Sequence, residues 1–164
     1  MVAREEAKET IARLVSRYQA LTPAQVRQYN EENTKKDFVL PLFRALGWDI
    51  DDSAEVAAEE KASGGRVDYA FKLRGVSQFY LEVKPLRADL SRPEYAKQVI
   101  TYAYNKGVTW AALTDFEGLQ VFNAQTGKPF LNLSCGKYAT ADWDDLWLLS
   151  REALQQDTLS QKAQ

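Results

Sequence analysis

An α/β sandwich built on a mixed sheet is the fold class that this sequence predicts. Three observations lead there. The hydrophobic periodicity runs as helices, then three strands, one helix, and two or three further strands. The 164 residues are 45% hydrophobic and 12% aromatic, which is enough for one domain with a real core. No internal repeat or low-complexity segment interrupts the pattern. Residues 1–150 are expected to form that domain, and residues 151–164 read as a polar tail or linker.

Glu5 to Ala20 places Ile11, Leu14, Val15 and Tyr18 on one helical face. Thr22-Pro23 reads as an N-cap followed by Pro at the first helical position, opening a short helix to about Tyr29. Asn30 can cap the next helix, whose apolar positions are Phe38, Val39, Leu42, Phe43 and Leu46, and Gly47 ends it. Pro41 removes one backbone hydrogen bond inside that helix, so a kink or break is expected near it. After a loop at Asp49–Ala54, Glu55–Lys61 reads as a strand, Ser63-Gly64-Gly65 as a turn, and Arg66–Leu73 and Val76–Lys84 as two strands. Pro85–Arg92 connects to a helix at Pro93–Asn105, with Ala96, Val99, Ile100 and Ala103 inward. Thr109–Leu113 and Leu119–Asn123 flank Asp115-Phe116-Glu117-Gly118 as a hairpin, Phe130–Leu133 adds an edge strand, and Trp143, Leu146, Trp147 and Leu149 close the fold with a helix.

Composition narrows the chemistry. With one cysteine and no histidine, intramolecular disulfides, the usual zinc sites, Ser-His and Cys-His catalysis and His-metal nucleases are excluded. Cys135 reads as a small buried hydrophobe. A net charge of -2 offers no overall basic field, so nucleic acid would have to be drawn by a local patch. The N-terminus lacks an apolar signal core, and no stretch approaches the roughly 18 apolar residues of a membrane span. A cytoplasmic protein is expected.

The central hairpin carries the candidate site. Side chains alternate along a strand, so Glu82 and Lys84 point the same way while Val83 points to the core. The outward set is Asp68, Ala70 and Lys72 against Gln78, Tyr80, Glu82 and Lys84; the apolar set is Val67, Tyr69, Phe71 and Leu73 against Phe79, Leu81 and Val83. Matching the apolar sets pairs Val67 with Val83, Tyr69 with Leu81 and Phe71 with Phe79, and so sets Asp68 opposite Glu82. A two-residue Arg74-Gly75 turn alone would set Asp68 against Leu81. The register therefore predicts an odd loop such as Arg74-Gly75-Val76, or a bulge with the same effect. Facing carboxylates repel unless a cation or proton lies between them. Mg²⁺, for which Mn²⁺ would substitute, takes one or two carboxylates and completes its shell with water and phosphate oxygens. Lys84 beside it would ease hydroxide formation or stabilise the phosphorane. Glu-x-Lys alone is common on a solvated strand; the facing Asp68 is what sets this one apart.

An ordered set of motifs surrounds this cluster: Asn30-Glu31-Glu32-Asn33-Thr34, Leu40-Pro41-Leu42-Phe43-Arg44-Ala45-Leu46-Gly47-Trp48, Val67-Asp68-Tyr69, Glu82-Val83-Lys84 and Gln98-Val99-Ile100-Thr101-Tyr102. With it the sequence resembles the PD-(D/E)xK nuclease superfamily, in particular the N-terminal nuclease domains of type I restriction motor subunits and type IIG restriction-modification enzymes. The likeness covers roughly residues 28–125. No single motif is specific, but the ordered set, including the Leu-Gly-Trp helix end, is considerably more so. Asp68 follows Val67 where the family name has Pro.

The resemblance implies a restriction-endonuclease-like α/β/α sandwich and a Mg²⁺-dependent DNA endonuclease domain of a restriction-modification system. It implies Asp68, Glu82 and Glu31 at the metal, Lys84 as the catalytic lysine, and Gln98 and Tyr102 near the site and the DNA. Double-stranded DNA and methyltransferase, helicase or specificity domains would be the partners. The residues themselves agree in part. Glu31 lies seven positions before Phe38, on the buried stripe, where it could equally be a capping group in the first turn. Gln98 and Tyr102 are neighbours on one helix face. Lys84, Arg87, Arg92 and Lys97, joined by Lys35, Lys36 and Arg66, make a patch that could contact phosphates. The chain has neither a GxxxxGK[ST] loop nor a visible methyltransferase nucleotide motif, so it reads as a cleavage module of a larger enzyme or a free-standing relative. The alternatives are a non-catalytic DNA-binding or assembly module on a nuclease fold, and a repair nuclease.

Overall fold

The computed structural model describes residues 2–62 and 64–164; Ser63, within the expected Ser63-Gly64-Gly65 turn, lies outside them. Helix α1 (Arg4–Gln19) buries Ala7, Ile11, Leu14 and Val15 on one stripe. Helix α2 (Pro23–Gln28) opens on a capping box: Gln25 N–H donates to the Thr22 hydroxyl, and the Thr22 N–H donates to the Gln25 side chain. Asn30 caps α3 (Glu31–Thr34) by accepting from the Asn33 N–H.

Pro41 has a visible consequence. It sits in the first turn of α4 (Leu40–Ala45), and the turn before it, Lys35–Val39, is widened into a π-turn in which the Leu40 N–H reaches the Lys35 carbonyl. Pro41 has no N–H to offer the Asp37 carbonyl. The Arg17 guanidinium of α1 donates to that carbonyl instead. Gly47, at φ 98°, closes the helix in the left-handed conformation. Trp48 then buries its ring and donates its indole N–H to the Leu149 carbonyl.

Among the described residues six strands follow in one mixed sheet, ordered as in the sequence: β1 (Val56–Ala62), β2 (Gly65–Leu73), β3 (Val76–Val83), β4 (Trp110–Thr114), β5 (Gly118–Asn123) and β6 (Lys128–Ser134). All neighbours are antiparallel except β3 and β4, which are parallel and joined through α5 (Pro93–Asn105). A large apolar cluster covers one face, uniting α1, α4 and the C-terminal helices with Tyr69, Phe71, Phe79, Leu81, Val83 and Ala112. On the other face α5 lays Val99, Tyr102 and Ala103 on Val67, Ala70, Tyr80 and Ala111. Phe71 and Phe79 stack across the hairpin with centroids 4.5 Å apart, a contact worth about 0.5–1.5 kcal/mol beyond its buried area.

The β2–β3 hairpin keeps the expected pairs from Tyr69 to Phe71 by the second route, while the ladder stops short of Val67–Val83 and Asp68–Glu82. Tyr69 pairs with Leu81, Ala70 with Tyr80 and Phe71 with Phe79. The turn is the two-residue Arg74-Gly75, with φ 52° and 76°, and Leu73 pairs with Val76. A bulge between Phe71 and Lys72 leaves Gln78 as the extra residue and restores the register. Val67 departs from the expected apolar set: it packs with Ala70 and Tyr80 under α5, so the alternation breaks at Asp68.

The chain end also differs from the expected polar tail. After α6 (Trp143–Trp147) come α7 (Arg151–Gln155) and α8 (Thr158–Lys162). Leu159 is fully buried in the main core, and Ser160 lies 3.3 Å from the Trp110 indole nitrogen. The polar composition hides apolar anchors: Ala153 and Leu154 on α7 and Leu159 on α8. No helix among the described residues is long and apolar enough to cross a membrane. Leu159→Ala should destabilise the chain by about 2–4 kcal/mol, as core truncations do, measured by urea unfolding; an unchanged midpoint would show that α8 is dispensable.

Candidate active site

Asp68 of β2 and Glu82 of β3 are both buried, and each is held by the other's strand. The Val83 N–H donates to Asp68 Oδ2 at 2.7 Å, and the Asp68 N–H lies 3.3 Å from Glu82 Oε1. The remaining oxygens meet lysines. Lys35 Nζ is 3.0 Å from Asp68 Oδ1, and Lys84 Nζ is 3.3 Å from Glu82 Oε2. Two acids from adjacent strands and two ammonium groups from different elements thus form one buried cluster.

Lys84 follows β3 directly, and its own N–H continues the parallel ladder by donating to the Thr114 carbonyl. Its ammonium lies 4.5 Å from the centre of the Tyr95 ring on α5. Tyr95 was not singled out from the sequence. The available signal was its place seven residues before Tyr102 on the same helical stripe. Thr34, fully buried, ties α3 to the strand exit by accepting from the Leu86 N–H at 3.1 Å.

Other expected site residues fall elsewhere. Lys35 does not join a surface patch: it is 6% exposed and points into the cluster. Glu31 reaches the site through it, with Oε1 3.6 Å from Lys35 Nζ. Among the described residues no third His, Cys, Asp or Glu side chain converges with Asp68 and Glu82 into a metal-sized group. Tyr102 donates to Glu60 of β1 at 2.9 Å and packs edge-on against Tyr80, which is buried rather than lining an open cleft. Gln98 is exposed and borders, with Arg66, Lys97 and Tyr102, a cleft of about 290 Å³. Arg87 is exposed beside Tyr18 and Glu117, and no ion pair links it to the cluster among the described residues.

The electrostatics follow from burial. Desolvation, and after it the charge of Asp68, pushes the Glu82 carboxyl up to about 7, against the opposing pull of Lys84. Burial disfavours the Lys35 ammonium, but the hydrogen bond and charge of Asp68 outweigh it and hold the group above its ordinary value. Two hard oxygen donors side by side suit Mg²⁺, which takes one or two carboxylates and fills its octahedron with water. Asp68 and Glu82 are the residues that would hold it.

The shift of Glu82 makes stability depend on pH. Its folded value, about 7, exceeds its unfolded value of 4.5, so its contribution is complete below 4.5 and is lost as pH rises through 7. In chelator, stability should therefore decline across that interval, and Glu82→Gln should flatten the decline in urea unfolding. Asp115, raised to about 6 by burial, leaves a residual slope of the same sign. A slope identical in wild type and variant would remove Glu82 as its source.

No protein-family model and no solved structure matches the chain. A curated relative does: the chain is 32% identical over 131 residues to the type II restriction enzyme and methyltransferase RM.Eco57I of Escherichia coli. The match takes in 71% of this chain and spans only 13% of that much longer protein. The chain is therefore related to one part of a restriction-modification enzyme.

Proposed function

We propose that this chain is the Mg²⁺-dependent DNA-cleaving domain of a restriction-modification system, built on the PD-(D/E)xK plan. The reading rests on the reciprocal placement of Asp68 and Glu82 with Lys84 against the second carboxylate. The similarity to part of a restriction enzyme supports it independently. That relative joins restriction enzyme and methyltransferase in its name, so a methyltransferase region and double-stranded DNA are the proposed partners.

The reaction adds water across one P–O bond of the backbone and leaves a 5′-phosphate and a 3′-hydroxyl. A bound Mg²⁺ would polarise the phosphoryl group and acidify water. Asp68 and Glu82 would hold that ion, their orientation preset by the Val83 and Asp68 amides. Lys84 is the more exposed of the two lysines, at 15% against 7%, so its ammonium is placed to meet an incoming phosphate and to offset charge that builds there. Tyr95 restricts the ammonium from below without competing for its protons.

The test is nicking of supercoiled plasmid with Mg²⁺ or Mn²⁺, paired with calorimetric metal titration. Wild type should nick only with metal. Lys84→Ala should retain metal binding yet lose about 100-fold or more in rate, whereas Asp68→Ala and Glu82→Ala should lose both. Cleavage that survives all three substitutions would refute the site. Metal binding without cleavage at any DNA concentration would favour the assembly-module reading.

A further inference from the structure

Lys35 is the one member of the cluster that cleavage chemistry does not call for. Its ammonium touches three carboxylates: Asp68 Oδ1 at 3.0 Å, Glu32 Oε1 at 3.1 Å and Glu31 Oε1 at 3.6 Å. The first is buried. The others open outward, with the Glu31 and Glu32 side chains 37% and 77% exposed. Lys84 differs, because Glu82 is its only carboxylate partner among the described residues.

We propose that Lys35 is an internal counter-cation of Asp68, which a divalent metal must displace, and that Glu31 and Glu32 receive its ammonium when it leaves. The proposal rests on the reading of Asp68 and Glu82 as metal ligands, and makes Lys35 a positioning residue that sets metal affinity. Three features support it. Asp68 Oδ2 is committed to the Val83 N–H, so Lys35 holds the freer oxygen. A cation approaching that oxygen meets a like charge in a poorly hydrated place, where screening is weak. The landing site is already in contact: the Glu31 and Glu32 oxygens lie within 3.6 Å of Nζ, so a rotation of the stem gives up Asp68 while keeping the two outer partners. Helix geometry puts those acids there, since Glu31 and Glu32 stand four and three residues before Lys35.

Calorimetric titration of Mn²⁺ into the full chain tests this, with thermal unfolding as a second readout. Lys35→Met should bind Mn²⁺ about tenfold or more tightly than wild type, the usual scale for residues that tune metal ligands from behind. Its metal-free form should melt lower, and Mn²⁺ should raise its midpoint more than it raises that of wild type. Lys35→Arg should restore wild-type affinity. The double variant Glu31→Gln/Glu32→Gln, at outward-facing positions, should bind Mn²⁺ more weakly because the ammonium has nowhere to go. Unchanged or weaker binding in Lys35→Met would overturn the proposal. If that variant does not fold, unchanged or tighter binding in the double variant overturns it. Absence of Mn²⁺ binding in every protein would overturn the metal reading itself, an outcome distinct from wild-type binding that Lys35 does not affect.

Discussion

Two carboxylates buried side by side are the constraint around which this molecule is organised. Burial withdraws most solvent from them, so their oxygens must be answered largely from within the protein. The answers come from four places: the amides of Asp68 and Val83, the Lys35 ammonium from the helical layer, and the Lys84 ammonium from the strand exit. Stranding one such charge by removing its partner costs about 3–5 kcal/mol in a typical buried pair. That cost makes the positions of the Lys35–Val39 turn, β2 and the end of β3 interdependent. The Tyr95 ring and the Thr34 hydroxyl complete the arrangement by fixing Lys84 and the chain just beyond it.

The two faces of the sheet divide the labour. The broad core under α1, α4 and the C-terminal helices supplies rigidity through Trp48, Phe43, Phe71 and Phe79, whose rings lie 4.5–6.0 Å apart. The smaller core under α5 sets Val99, Tyr102 and Ala103 of that helix directly on Val67, Ala70, Tyr80 and Ala111 of the sheet. Close approach is what lets Tyr95 reach Lys84 and Tyr102 reach Glu60.

Much of this was legible in the sequence, and for identifiable reasons. Period-two alternation located β2 and β3 and set the pairs from Tyr69 to Phe71, because burial on one face makes register costly to change. Asp68 and Glu82 lie just past those pairs and meet through each other's backbone amides. Caps at Thr22 and Asn30 and the glycine stop at Gly47 were readable because local chemistry alone decides them. Lys35 was not. A lysine reads as a solvated charge unless its partners are known, and Asp68 is 33 positions away. Val67 escaped because the strand breaks its alternation at the acidic residue itself. Leu159 escaped because a five-residue helix is too short to display a period. The π-turn was half visible: Pro41 announced a disturbance, but the answering donor, Arg17, lies on another helix.

The Arg74-Gly75 turn lies at the far end of the hairpin from the acids, where loops ordinarily tolerate insertion. Here its length is coupled to the bulge at Gln78, and only their sum decides which way Asp68 and Glu82 face. One residue gained or lost in the turn with the bulge unchanged would set the inner residues of β3 against the outer residues of β2, whereas a compensating gain or loss at the bulge would keep them in place. A stretch with no contact to the chemistry thus shares in aiming the acids, and a change of one residue there needs an answering change in the bulge.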